Sequence, residues 1–161
     1  MTSSHTLIEA FSCKLRQLIP PYLTPIYSGT LIGERALSRS LISDLKNLLG
    51  ASKVVDDEAI VSLYAREPTG LTSRAAAVVF PESSLDVSKL LSYAYRHEIP
   101  VYPQGSTTDL SGGALPSPEG VIVSLERMNR VLGVSVLDST VDVEAGVRLG
   151  DLNVELARYG Y

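Results

Sequence analysis

The sequence predicts an α+β fold: a mixed β-sheet with flanking helices. Three observations carry this reading. Residues 76–80 are an unbroken apolar run of strand length, the pattern of a strand buried on both faces, and residues 121–125 read as a further strand. A stretch of helical period lies between the first run and a further strand at 99–102, which makes a β-α-β unit. Two more strand-like runs, 131–137 and 141–144, follow one another through Asp138-Ser139, a hairpin connection.

Each element has its own justification. Residues 6–19 place Leu7, Ala10, Phe11, Leu15, Leu18 and Ile19 at helical period and stop at Pro20-Pro21, whose rings cannot continue a helix. Residues 20–33, with Pro25, Gly29 and Gly33, form a connection. Residues 34–49 repeat the helical period through Leu37, Leu41, Leu45 and Leu48, and Gly50 stands where a glycine closes a helix. Val54-Val55 predicts a short strand, and Asp56 or Asp57 caps a helix across 58–66. We take residues 1–50 as a two-helix N-terminal extension and residues 51–161 as one domain. Ser83 precedes Asp86 in a capping-box-like spacing. The helix it starts runs to about His97 and turns Val87, Leu90, Leu91 and Ala94 toward the sheet. Residues 149–159 form a last helix with Leu149, Leu152, Leu156 and Tyr159 on one stripe.

Composition narrows the classes. With 161 residues, 45% hydrophobic and 20% charged, the chain is long enough to bury a real core. A net charge of −4 argues against nucleic acid as a partner, because phosphate-backbone binding needs clustered Lys and Arg. The single cysteine, Cys13, cannot close an intrachain disulfide and suits a reducing compartment, so a cytoplasmic location is expected. Cys13 sits on the first apolar-patterned helix and reads as a packing residue. No apolar run reaches the ~18 residues of a membrane span, and no secretory signal is visible.

Residues 103–113, Pro-Gln-Gly-Ser-Thr-Thr-Asp-Leu-Ser-Gly-Gly, are the stretch richest in chemical meaning. A loop dense in glycine and hydroxyl groups can turn several backbone N–H groups toward one point, a concavity suited to phosphate or pyrophosphate. Gly105, Gly112 and Gly113 let a ligand approach the main chain, and Ser106, Thr107, Thr108 and Ser111 add hydroxyl donors. On composition alone the same stretch also reads as a surface connection. Other chemistries find no support. His5 and His97 have no second histidine or cysteine at ligand spacing, so no metal site is expected, and His97 is expected to meet the carbonyls at its helix end. There is no P-loop, no Rossmann glycine fingerprint and no G-x-S-x-G elbow. Asp56-Asp57-Glu58 reads as a solvated cap, and Arg148 with Asp151 as a surface pair.

The flanks of the loop carry a family likeness. Before it stand Ala77-Val78-Val79-Phe80-Pro81-Glu82-Ser83 and Ile99-Pro100-Val101-Tyr102-Pro103. After it come Gly120-Val121-Ile122-Val123-Ser124-Leu125-Glu126-Arg127-Met128-Asn129-Arg130-Val131-Leu132 and Val143-Glu144-Ala145-Gly146-Val147. In this order they resemble the PCMH-type FAD-binding domain of the vanillyl-alcohol oxidase / p-cresol methylhydroxylase superfamily. Within it the likeness is to the D-lactate dehydrogenase, glycolate oxidase and D-2-hydroxyglutarate dehydrogenase branch. It covers roughly residues 53–161 and leaves residues 1–50 aside.

The resemblance implies that Pro103, Gln104, Gly105, Ser106, Thr107, Thr108 and Asp109 line the FAD diphosphate, with Leu110 and Ser111 close behind and Gly146 near the flavin. It implies noncovalent FAD, because Thr108 stands where some distant relatives carry a flavin-linked histidine. Two departures stand out: the family usually has glycine in place of Ser106, and glycine or asparagine in place of Thr107. The segment of Arg127, Met128 and Asn129 reads as structural. The implied activity is oxidation of a 2-hydroxy acid of the D-lactate or glycolate type, with hydride passing to flavin N5 and electrons going on to a separate acceptor. The family's second flavin loop and substrate-capping domain are not in these residues, so the domain is expected to be incomplete and no catalytic residue is assigned. A 2-hydroxy acid is then a partner only if further sequence or a second chain completes the site. The alternative is a noncatalytic module that binds a nucleotide, a partner subunit or a second copy through an exposed sheet.

Overall fold

Two central strands are buried on both sides, and the rest of the architecture follows from them. The structure, a computed structural model, describes residues 31–161 other than Asp109, with side chains from Ser40 onward. The helix expected across 6–19, Cys13, His5 and the connection up to residue 30 lie outside the described residues. The elements run α1 (Leu31–Leu49), a 3-10 turn (Ala51–Lys53), β1 (Val54–Val55), α2 (Glu58–Tyr64), β2 (Ala77–Val79) and α3 (Ser84–Arg96). Then come β3 (Val101–Gln104), β4 (Val121–Ser124), β5 (Val131–Ser135), β6 (Thr140–Val143), α4 (Leu149–Leu156) and a last 3-10 turn (Ala157–Tyr159). Residues 38–161 form one compact unit.

Strands lie in the order β1-β2-β4-β3, with β1 antiparallel to β2 and the other neighbours parallel. This is the mixed, helix-flanked sheet that the sequence predicts. Side chains alternate across it. Val54, Ala77, Val79, Val121 and Val123 meet Leu41, Leu45 and Leu49 of α1 and Leu90 of α3 on one face. Val78, Phe80 and Ile122 meet Val61 and Ala65 on the other. The helix over 34–49 is therefore part of the main core. β5 and β6 pair antiparallel in a separate two-stranded sheet.

Helix starts follow the expected capping chemistry. Asp57 Oδ1 accepts from the Ile60 N–H at 3.0 Å and caps α2. Asp56 instead takes the Lys46 ammonium at 2.8 Å, a bond that lowers its carboxyl pKa. Ser83 Oγ accepts from the Asp86 N–H at 3.2 Å while Asp86 Oδ2 accepts from the Glu82 N–H at 3.1 Å.

Five details depart from expectation. Leu91 is 48% exposed, and the buried side of α3 is Asp86, Leu90 and Ala94, with Tyr93 half-buried. Tyr93 gains its place by donating its hydroxyl to Asp44 of α1 at 2.7 Å. Burial first, and that bond second, push its phenol up to about 12. The His97 ring stacks on Tyr93 at 4.2 Å, so it is the His97 main-chain N–H that meets the helix-end carbonyl of Tyr93. The run expected at 131–137 ends at Ser135, where the Ser135 hydroxyl donates to Asp138 at 2.6 Å, and Leu137 is fully outside. The last helix gives way to a 3-10 turn after Leu156, and none of its residues is buried. Arg148 and Asp151 make no ion pair among the described residues; Arg158 pairs with Glu155 at 2.7 Å instead. No helix among the described residues is long and apolar enough to cross a membrane.

Candidate functional site

β2, β4 and β3 are parallel, so the segments that follow them leave from the same edge of the sheet. Open sheets of this kind take ligands at that carboxyl end. Three segments meet there: 80–86 after β2, 105–113 after β3 and 125–128 after β4.

β3 is an edge strand, which is where Pro103 can sit without breaking a ladder. Gln104 pairs in register with Ser124, and its carbonyl accepts from the Leu125 N–H at 3.0 Å. The chain then leaves the sheet as the glycine- and hydroxyl-rich loop. Gly105, Ser106 and Thr108 are exposed and Thr107 is half-buried. Among the described residues, the main-chain N–H groups of Gly105, Ser106, Thr107 and Thr108 meet no main-chain acceptor. Thr107 has φ 50°, the left-handed region, which is unusual for a β-branched residue. A left-handed residue in a run of uncommitted N–H groups is the local geometry of main-chain anion binding. Gly112, with φ 79°, and a Leu115 N–H bond to the Gly112 carbonyl at 3.1 Å close the loop. Leu110 is 69% exposed, and Asp109 lies outside the described residues.

The Gln104 side chain takes a different place from the rest of the loop. It is 3% exposed, and its Nε2 donates to the Tyr64 carbonyl at 3.0 Å and to the Ala114 carbonyl at 3.0 Å. Gly146 reaches the same neighbourhood from the far side. Its N–H donates to the Met128 carbonyl at 2.8 Å, and a Cβ there would lie 1.8 Å from the Leu125 carbonyl oxygen. Leu125 thus touches both Gln104 and Gly146, which brings the two separated parts of the expected site together.

Charges around this edge are paired. Lys53 binds Asp86 at 2.8 Å, and the Lys53 hydrogen bond, with help from the Glu82 N–H and the Ser83 hydroxyl, holds the Asp86 carboxyl below its usual range. Arg127 donates to the Ser52 carbonyl and to Glu82, each at 3.2 Å, and lies 5.0 Å above the Phe80 ring. Met128 is buried. The Arg127–Met128 segment thus ties strand ends together, the structural part the sequence predicts. Arg130 offers Glu144 its N–H at 2.9 Å and its Nε at 3.1 Å, which lowers the Glu144 carboxyl pKa. Two surface clefts lie elsewhere: one of about 610 Å³ is lined by residues of β5 and α4, another of about 380 Å³ by Ile42, Lys46 and Asp56.

These features suit a main-chain diphosphate cradle, and comparison with known proteins names its ligand. Residues 75–161 match the family described as "FAD binding domain". The chain belongs to this FAD binding domain family. FAD is accordingly the cofactor of the domain, and the main-chain N–H groups of residues 105–108, which meet no main-chain acceptor among the described residues, fit it.

This FAD domain is 33% identical over 121 residues to "Probable D-2-hydroxyglutarate dehydrogenase, mitochondrial" of Oryza sativa subsp. indica, covering 74% of this chain and 22% of that protein. It is 38% identical over 100 residues to "D-lactate dehydrogenase" of Archaeoglobus fulgidus, covering 60% of this chain and 22% of that one. The chain therefore spans about a fifth of the length of these curated relatives. A solved p-cresol methylhydroxylase superposes with a TM-score of 0.67 and 19% identity over 82% of this chain and 26% of that one, which shows the fold. The PCMH-type architecture expected from the sequence is thus borne out.

The FAD domain also has site features that the sequence did not disclose. Tyr64 and Ala114 hold the loop through Gln104, and Lys53 organises the start of α3. Lys53 lies 33 positions from Asp86 and Tyr64 lies 40 from Gln104, so no local pattern could reveal either link.

Proposed function

We propose that residues 103–111, with Gly146, hold FAD noncovalently as part of an oxidoreductase acting on a 2-hydroxy acid of the D-lactate, glycolate or D-2-hydroxyglutarate type. The observation behind this reading is the row of N–H groups on Gly105, Ser106, Thr107 and Thr108, which meet no main-chain acceptor among the described residues, at the carboxyl end of the parallel strands. These donors face a doubly charged diphosphate without a cationic side chain, and the hydroxyls of Ser106, Thr107 and Thr108 add to them. Pro103 and the Gln104 main chain set where the loop departs, and Leu110 and Ser111 continue it beyond Asp109. Gly146 keeps the main chain close to the Leu125–Met128 turn and so leaves room on the flavin side. The segment 103–113 has no histidine, cysteine or tyrosine, which supports noncovalent binding. FAD, when bound, supplies the hydride acceptor at N5. No residue of 1–161 is assigned to grip or deprotonate the hydroxy acid.

Titration of the purified protein with FAD, ADP and riboflavin tests the diphosphate reading. FAD and ADP are expected to compete, and riboflavin, lacking the diphosphate, to bind at least ~100-fold more weakly, since several charge-assisted hydrogen bonds are lost. Equal affinity for riboflavin and FAD would overturn it.

A second reading is favoured by one observation, the apolar surface of β5, β6 and α4: Leu132 is 62% exposed, Leu149 72% and Val154 67%. A module that docks a partner subunit or a second copy through these residues would give a colourless dimer indifferent to FAD.

A further inference from the structure

We propose that Gln104 acts as a brace for the phosphate loop: its side chain fixes the loop's two ends against α2 before any ligand arrives. The donor inventory decides this. A glutamine side chain has two N–H donors and one carbonyl acceptor. Both donors are committed, to the Tyr64 and Ala114 carbonyls at 3.0 Å each. The remaining atom, Oε1, is buried without a partner and can only accept, so it has nothing to offer an anion. The Gln104 carbonyl is committed as well, to the Leu125 N–H.

The two carbonyls are well placed for a brace. Tyr64 ends α2, where helix carbonyls lose their internal donors, and Gln104 supplies one. Tyr64 is itself fixed: its ring meets Phe80 edge-on at 5.4 Å, and its hydroxyl donates to Glu126 at 3.3 Å. Ala114 follows the Gly112-Gly113 pair and marks the loop's closing end. One buried amide therefore spans the opening residue of the loop, its closing residue and an anchored helix end. The uncommitted N–H groups of residues 105–108 lie between these fixed points. Their aim is thus set by a residue whose side chain gives nothing to a phosphate.

The flavin part of this inference rests on the FAD site proposed above, whereas the brace itself does not. The test is hydrogen exchange of the flavin-free protein, followed by FAD titration, for the intact chain and for Gln104→Met and Gln104→Asn. Methionine keeps the buried volume and loses both donors. Asparagine keeps the amide but is one methylene too short to reach both carbonyls, and it carries the test if the methionine variant does not fold. Exchange over residues 105–116 is expected to rise at least ~10-fold without FAD, with β2 and β4 still protected, and FAD affinity to fall by a similar factor. Unchanged loop exchange with lost FAD affinity would make Gln104 a direct ligand and overturn the proposal. So would exchange that rises equally across the sheet, or no change in either readout. Should the intact protein bind no FAD, the site reading fails, and the exchange comparison still decides the brace.

Discussion

Thr107 holds a left-handed φ of 50° with a β-branched side chain, a conformation that costs roughly 1–2 kcal/mol for a non-glycine residue. Such strain persists only where the surroundings hold it. Here Gln104 and the Gly112 turn fix the loop on either side. The resemblance implies glycine or asparagine where Thr107 stands, and the left-handed φ at this position is one that those residues adopt more readily. Gly146 was legible only in part. The resemblance placed it near the flavin, and on its own it reads equally as a turn glycine; in the structure its neighbour is the Leu125 carbonyl, a contact that depends on a turn 21 residues earlier. Replacing it should be costly. In Gly146→Ala the new Cβ would meet backbone at 1.8 Å and at 2.6 Å, with no flexible side chain to yield. A loss of about 3 kcal/mol is expected from such overpacking, read as a lower urea midpoint at unchanged slope. A variant as stable as the parent would show that the Leu125–Met128 turn moves freely.

At the level of elements, helix α3 shows what pattern reading captures and where it stops. Ser83 and Asp86 announce the helix start because capping is local, three residues apart. The buried face was misread by one position: Leu91 faces out while Asp86 and Tyr93 turn in. Hydrophobic periodicity cannot anticipate this, because what draws Asp86 and Tyr93 inward are Lys53 and Asp44, from other elements. The Lys53–Asp86 pair also gives a pH signature. The folded Asp86 pKa lies below the unfolded value of about 3.9, so its contribution is complete above that value and is lost as pH falls through the folded one. Acidification below about pH 4 should therefore lower the urea midpoint. Asp86→Asn should start about 2 kcal/mol less stable at neutral pH, as for a lost charge-assisted bond, and decline less steeply on acidification. Parallel acid limbs in the two proteins would remove Asp86 from the account.

For the whole molecule, the layering decides which residues belong together. The apolar run at 76–80 foretold a strand buried on both faces, and in the structure Val78 and Ile122 lie on one side of the sheet and Val79 and Val123 on the other. The order β1-β2-β4-β3 was not legible, since it depends on which long connection lands where. Nor was the role of α1. Its period was plain from Leu41 and Leu45, but a stripe does not say which surface it covers. Leu41, Leu45 and Leu49 cover Val54, Ala77, Val79, Val121 and Val123. Full burial of a leucine stabilises by about 1.5–3 kcal/mol, so three together approach the roughly 5–15 kcal/mol that holds an ordinary domain. A chain beginning at Ala51 should therefore fail to fold cooperatively, with broad thermal unfolding and strong binding of a hydrophobic dye. A chain beginning at Ser38 keeps all three leucines and should unfold in one sharp transition. If the Ala51 chain melted as sharply, the α1 stripe would be a cover that the sheet does not need, and the domain would begin where the sequence alone suggests.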